Sequence, residues 1–145
     1  MSGETTPLTP IDLALLRSTL SKVAAAWVLQ LDLQVVEARQ GEVVMTLPVS
    51  APLVHSGGVL CGQALMAAAD TAMILAVTTH LGEFRPMTTV QLQTSFLRPI
   101  PGTMGHARVA ARVLRMGRKL VFGEVLLHDA QGQLAAHSTT TYSLL

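Results

Sequence analysis

Charge is scarce in this chain. Only 13% of its 145 residues are Asp, Glu, Lys or Arg, and they nearly cancel, ten basic against nine acidic. A formal net charge of +1 provides no field for general polyanion binding. Aromatic side chains are scarcer still, with three Phe, one Tyr and one Trp. Stacking platforms for single-stranded nucleic acid are therefore not expected, and no nucleic-acid partner is predicted. The single cysteine, Cys61, excludes an intrachain disulfide and fits a reducing compartment. The opening MSGETTPLTP lacks a basic segment leading into an apolar run, so no secretory signal is read and the expected location is the cytoplasm. His55, His80, His106, His128 and His137 show no metal-ligand spacing, and no metal is expected. No repeat, low-complexity tract or linker divides the chain. Its length predicts one domain over 1–145, with 1–8 as a flexible tail.

What the chain does have is apolar length. Half of it is hydrophobic, and Gly58 to Leu81 (GVLCGQALMAAADTAMILAVTTHL) reads as a helix hidden on most sides. From Val43 to Gly82 the only Asp, Glu, Lys or Arg is Asp70. Ionising a lone acid in such surroundings costs several kcal/mol unless something compensates it. Three explanations compete. The acid is structural, hydrogen-bonded to a strand or to a second copy. Or the run spans a bilayer, which its length allows; a central Asp costs roughly 2.5 kcal/mol or more there, and no basic residues flank the run, so no membrane is expected. Or the acid is catalytic, in the kind of apolar cleft where perturbed carboxylates gather.

The rest of the pattern is α+β. Thr9-Pro10 is a helix start, and Leu13, Leu16, Leu20 and Val23 carry an amphipathic helix to about Ala25. Alternation from Leu31 to Val35 predicts a strand, Gln40-Gly41 a turn, and Glu42 to Pro48 a second strand. After a loop over Ser50–Gly57 comes the long helix. Thr88–Phe96, Thr103–Leu114, Lys119–His128 and Leu134–Ser143 then alternate as four more strands. Their short links predict a four-stranded antiparallel meander, and the sheet must curl around the helix to hide it.

Three segments, GGVLCGQALMAAADTAM, TTVQLQTSFLRP and GRKLVFGEVLLHDAQGQLAAHSTTTY, resemble the hotdog-fold acyl-CoA thioesterases, in particular the phenylacetic-acid-degradation type. The resemblance covers roughly Leu31 to the C-terminus. The resemblance implies a hotdog fold, an antiparallel sheet of five to six strands curled around one long central helix, with a short N-terminal helix. It implies Asp70 as the catalytic carboxylate and the Gly62 backbone N–H as the donor that polarises the thioester carbonyl, with Gly58 as the fallback. Cys61 stands where many relatives have His. His55 falls near where relatives place a polar residue facing the substrate or water, Thr89 falls where some relatives have a Ser or Thr, and Gln63 lies beside Gly62, these three with Gly58 and Cys61 being the substrate-side candidates. The substrate implied is an acyl-CoA, coenzyme A being part of it and no separate cofactor needed.

The chemistry adds a geometric expectation. Gly62 and Asp70 are eight residues apart, roughly 12 Å along one helix, too far for one carbonyl to meet both. Two antiparallel helices related by a two-fold axis would bring Gly62 of one copy to Asp70 of the other, so an obligate homodimer with composite sites is expected, and by resemblance a dimer of dimers. Between Glu83 and Glu124 lie seven basic residues and no acid. Arg118, then Arg98, are the candidates to hold the coenzyme A phosphates, against the plainer reading of a solvated strand face. The acyl group reads as small to medium or aromatic, with Met66, Met73 and Met87 as core or pocket lining. Two other functions stay open: a non-catalytic acyl-CoA-binding module, and a hotdog dehydratase or hydratase, which Cys61 in place of His disfavours.

Overall fold

The computed structural model describes residues 12–145; the flexible tail and the Thr9-Pro10 helix start expected from the sequence lie outside them. Helix α1 runs Leu13–Val23, its first turn capped by Asp12, whose Oδ1 accepts from Ala14 N–H at 2.8 Å. A short turn of helix, α2 (Ala26–Leu29), follows. The strands are β1 Gln34–Arg39, β2 Glu42–Pro48, β3 Met87–Phe96, β4 His106–Met116, β5 Leu120–His128 and β6 Leu134–Leu144. Helix α3, Gly62–Leu81, lies between β2 and β3 in the chain.

All six strands form one antiparallel sheet in the order β1-β2-β4-β5-β6-β3. The expected meander therefore holds only for β4, β5 and β6. Strand β3 does not pair with β4; it sits on the far edge against β6, from Met87↔Leu144 to Phe96↔Ala136. The physical reason lies in the Pro99–Gly102 corner. Instead of closing a hairpin, it is clamped to the segment before α3: Leu60 N–H donates to Ile100 O and Gly102 N–H to Gly58 O, both at 2.8 Å. The chain thus enters β3 after α3 has crossed the sheet, then returns along this clamp to β4 beside β2.

Three boundaries also differ from expectation, β4 beginning at His106 rather than Thr103. Leu31 and Leu33 are buried, but Asp32 between them has φ of +57°, because Leu31 and Asp32 still donate to Val28 O and Leu29 O. The strand begins only at Gln34. Helix α3 starts at Gly62 rather than Gly58; Gly58 has φ of +80°, a left-handed conformation that no right-handed helix contains.

α3 packs into the concave face over β2, β4 and β5. Its length and hydropathy would suit a bilayer, yet 67% of its most apolar stretch is buried here, against protein. Ala64, Ala68, Ala69, Ala72 and Ala76 let the sheet approach closely. The tightest approach is at Gly123 of β5, where a Cβ would fall 2.5 Å from Met73 Sδ and 3.0 Å from Arg112 O. Met73 is thus core, fully buried, rather than pocket lining. Gly123→Ala is expected to destabilise by about 1–3 kcal/mol, seen as a fall in Tm of several degrees; an unchanged Tm would show that Met73 repacks freely.

Candidate active site

Backbone hydrogen bonds set the start of α3. Cys61 N–H donates to Leu53 O at 2.8 Å, Leu60 N–H to Ile100 O, and Gly58 N–H to His55 O at 2.9 Å. Among the described residues, Gly62 N–H has no acceptor, as expected for the first residue of a helix whose cap, Cys61, makes no side-chain bond. Of the two glycines considered, Gly58 has its amide committed and Gly62 has its amide free. Gly62 lines a groove of about 290 Å³ with Leu60, Leu65, Phe96, Arg98 and Ile100. The Phe96 ring lies over it: a Cβ at Gly62 would meet Phe96 Cζ at 3.1 Å. Arg98 makes no ion pair among the described residues.

Asp70, two turns along α3, faces a different recess. Its carboxylate is half-buried beside the edge strand, where Thr89 Oγ1 donates to Oδ1 at 3.0 Å. The Tyr142 hydroxyl, on β6, also reaches Asp70 Oδ1 and lies 3.0 Å from the Asp70 carbonyl oxygen. Tyr142 is fully buried. Burial, then the neighbouring Asp70 charge, pushes its hydroxyl far above the ordinary tyrosine value of 10.0, so it stays protonated and donating. Beside the carboxylate opens an apolar recess of about 160 Å³, walled by Leu20 and Val23 of α1, Val28 of α2, and Thr71, Ile74 and Leu75 of α3.

The sequence-derived candidates fall into groups. Gly62, Cys61, Gln63 and Arg98 gather at the helix start, Cys61 half-buried and Gln63 exposed. Asp70 and Thr89 are in contact. His55 is exposed in the preceding loop, its Nδ1 accepting from Gly57 N–H at 2.8 Å. Arg118 is exposed in the β4–β5 turn. That turn belongs with the far end of α3, because Gly41, which bonds Thr79 Oγ1, also accepts from Val113 near the end of β4. Arg112, part of the same basic run, is already paired: its Nε donates to Glu124 Oε1 at 2.7 Å. His137 and Arg112 together hold the Glu124 carboxyl below the usual carboxylate range.

Sequence reasoning missed Tyr142 and the α1–α2 wall. The only available signals were that Tyr142 is the chain's one tyrosine, on the inward phase of an alternating strand, and that Leu20 and Val23 lie on one helix face.

Comparison with known proteins agrees with this architecture. Residues 57–136 match the family described as the thioesterase superfamily. A Thermoplasma volcanium protein named "Putative esterase TV1331" is 34% identical over 106 residues, 73% of this chain and 77% of that one. Among solved structures, the thioesterase HI1161 of Haemophilus influenzae superposes with a TM-score of 0.82 at 22% identity, covering 94% of this chain and 92% of that one. The E. coli PaaI protein of the phenylacetic acid degradation operon gives 0.78 at 18% identity, over 92% and 94%. With a long helix wrapped by a six-stranded antiparallel sheet and this family match, the chain belongs to the thioesterase superfamily, a thioester hydrolase of the hotdog fold.

Proposed function

We propose that the protein hydrolyses acyl-CoA thioesters with small to medium or aromatic acyl groups, at two composite sites of a homodimer in the cytoplasm. The observation that carries this reading is the separation of the two halves of a hydrolytic site. The free amide of Gly62 lies in one groove, the Asp70 carboxylate in another recess, and neither cavity contains both residues. On one helix they stand roughly 12 Å apart. A second copy with its helix antiparallel places Gly62 of the partner subunit beside Asp70 and completes the set. β3 is an exposed sheet edge beside Asp70, an edge that a second copy would cover.

In this arrangement the thioester carbonyl oxygen receives Gly62 N–H, reinforced by the positive end of the helix dipole. Asp70 takes a proton from water as the water oxygen attacks the carbonyl carbon, or attacks that carbon itself and forms a mixed anhydride that water then opens. In either case the tetrahedral intermediate collapses by breaking the C–S bond, and the coenzyme A thiolate leaves and is protonated. A single turnover in ¹⁸O-water separates the two: label enters the Asp70 carboxyl only through the anhydride. Coenzyme A is part of the substrate, and no other cofactor has a role. Arg98 lies beside Gly62, and the two-fold axis brings the Arg118 end of the partner toward the same groove, so both suit the phosphates. Two such dimers pairing into a tetramer accords with the resemblance.

The 160 Å³ recess sets the acyl size. An apolar cavity of about 150 Å³ is known to hold benzene, so a phenyl ring or a chain of a few carbons suits a recess of this size. A hydrolysis screen over short, long and aromatic acyl-CoAs is expected to give kcat/KM at least tenfold higher for aromatic and short acyl groups than for palmitoyl-CoA. Filling the recess with Ala24→Phe should erase that advantage. Binding without turnover of any acyl-CoA would instead favour a non-catalytic acyl-CoA-binding module.

A further inference from the structure

We propose that Tyr142 is the positioning residue of the reaction. It pins one oxygen of Asp70, with Thr89, so that the other oxygen alone faces the substrate. This rests on the reading of Asp70 as the catalytic carboxylate.

The asymmetry is in the hydrogen bonds. Thr89 Oγ1 and the Tyr142 hydroxyl both donate to Oδ1, and no described donor reaches Oδ2. A carboxylate with both donors on one oxygen cannot rotate without losing them, which leaves Oδ2 as the oxygen that takes a proton or attacks. The anchor is itself rigid. Tyr142 is fully buried on β6, in register with Thr89 of β3 and Val121 of β5, so three elements fix its ring. Its second contact, to the Asp70 main-chain carbonyl at 3.0 Å, ties the hydroxyl to the helix backbone as well as to the carboxylate. A tyrosine that merely filled the core would be satisfied by the Asp70 main-chain carbonyl; the bond to Oδ1 goes beyond that need. The ordinary partner for a buried Tyr hydroxyl is any nearby carbonyl.

Thr89 and Tyr142 supply the side-chain hydrogen bonds to this acid among the described residues. Thr89 of β3 does not titrate, and α1 and α2 present Leu20, Val23, Ala24, Ala25 and Val28. No other titratable or charged residue lines the recess. Donors to a carboxylate favour its ionised form.

Because Tyr142 is the only tyrosine in the chain, growth on 3-fluorotyrosine alters this hydroxyl alone, making it a stronger donor of nearly unchanged size. Two proteins are compared with wild type on the preferred acyl-CoA of the screen above. Tyr142→Phe is expected to lose turnover rather than substrate binding. Its kcat should fall roughly tenfold with KM within twofold, as expected when an oriented catalytic group is loosened. The fluorotyrosine protein, a stronger donor to the same oxygen, should change kcat at least twofold with KM unchanged. If Tyr142→Phe fails to fold, the kcat and KM of the fluorotyrosine protein decide alone. A kcat that stays at the wild-type value in the folded variants would overturn the proposal and leave Tyr142 a packing residue. Failure of the underlying reading looks different: there, Asp70→Asn would itself remain active.

Discussion

Asp70→Asn is expected to lower kcat by about 10³-fold, roughly 4 kcal/mol of transition-state stabilisation, while the protein folds and assembles as before. The two halves of this expectation rest on different atoms. Asn keeps an oxygen at the Oδ1 position, so Thr89 and Tyr142 still have their acceptor and the β3–β6 edge keeps its link to α3. What it lacks is a second oxygen able to take a proton or attack a carbonyl carbon. Since the substitution also removes a charge from an apolar recess, Tm should not fall and can rise. Circular dichroism and a melting curve check the fold, and initial rates over the acyl-CoA panel check the chemistry. Retention of more than a tenth of wild-type turnover would remove Asp70 from the catalytic role. A large drop in Tm alongside lost activity would favour the structural acid.

Why Asp70 was visible in the sequence, and Tyr142 was not, follows from the range of the interactions. A single charge in forty residues of apolar helix and strand is a local anomaly, legible without knowing what surrounds it. The strands were legible for the same reason: β2 alternates along its whole length, Val43, Met45 and Leu47 facing the helix. Strand order is a different kind of fact. Pro99–Gly102 looks like a tight link between neighbouring strands, and only its bonds to Gly58 and Leu60, some forty residues earlier, reveal that it leads the chain across the sheet. Tyr142 meets Asp70 across 72 residues, through the β3–β6 pairing that the expected meander would have prevented. Likewise the start of α3 carries no capping Ser, Thr, Asp or Asn to mark it. Gly62 was identified by resemblance and spacing; its free amide emerges only once the amides of Gly58, Leu60 and Cys61 are seen to be occupied.

A heterodimer built from two inactive chains is expected to be active. Gly62→Val places a branched side chain where Cβ alone would stand 3.1 Å from the Phe96 ring, and it blocks the approach of a carbonyl to the amide. Phe96 is 52% exposed and can swing aside, so the variant should fold. As a homodimer it should lose at least 10²-fold in kcat, in line with the removal of an oxyanion donor. Now pair one Gly62→Val chain with one Asp70→Asn chain, each carrying a different affinity tag, and purify the mixed dimer. If each site takes its amide from one copy and its carboxylate from the other, one site receives both defects and the other receives neither. The mixed dimer should then show about half of wild-type activity, since one of its two sites is intact. If instead each chain supplied its own amide and carboxylate, both sites would carry one defect and the mixed dimer would be as inactive as its parents. The two outcomes differ by more than tenfold. The geometry favours the first, because roughly 12 Å of rigid helix separates the two groups within a chain and they open into different cavities.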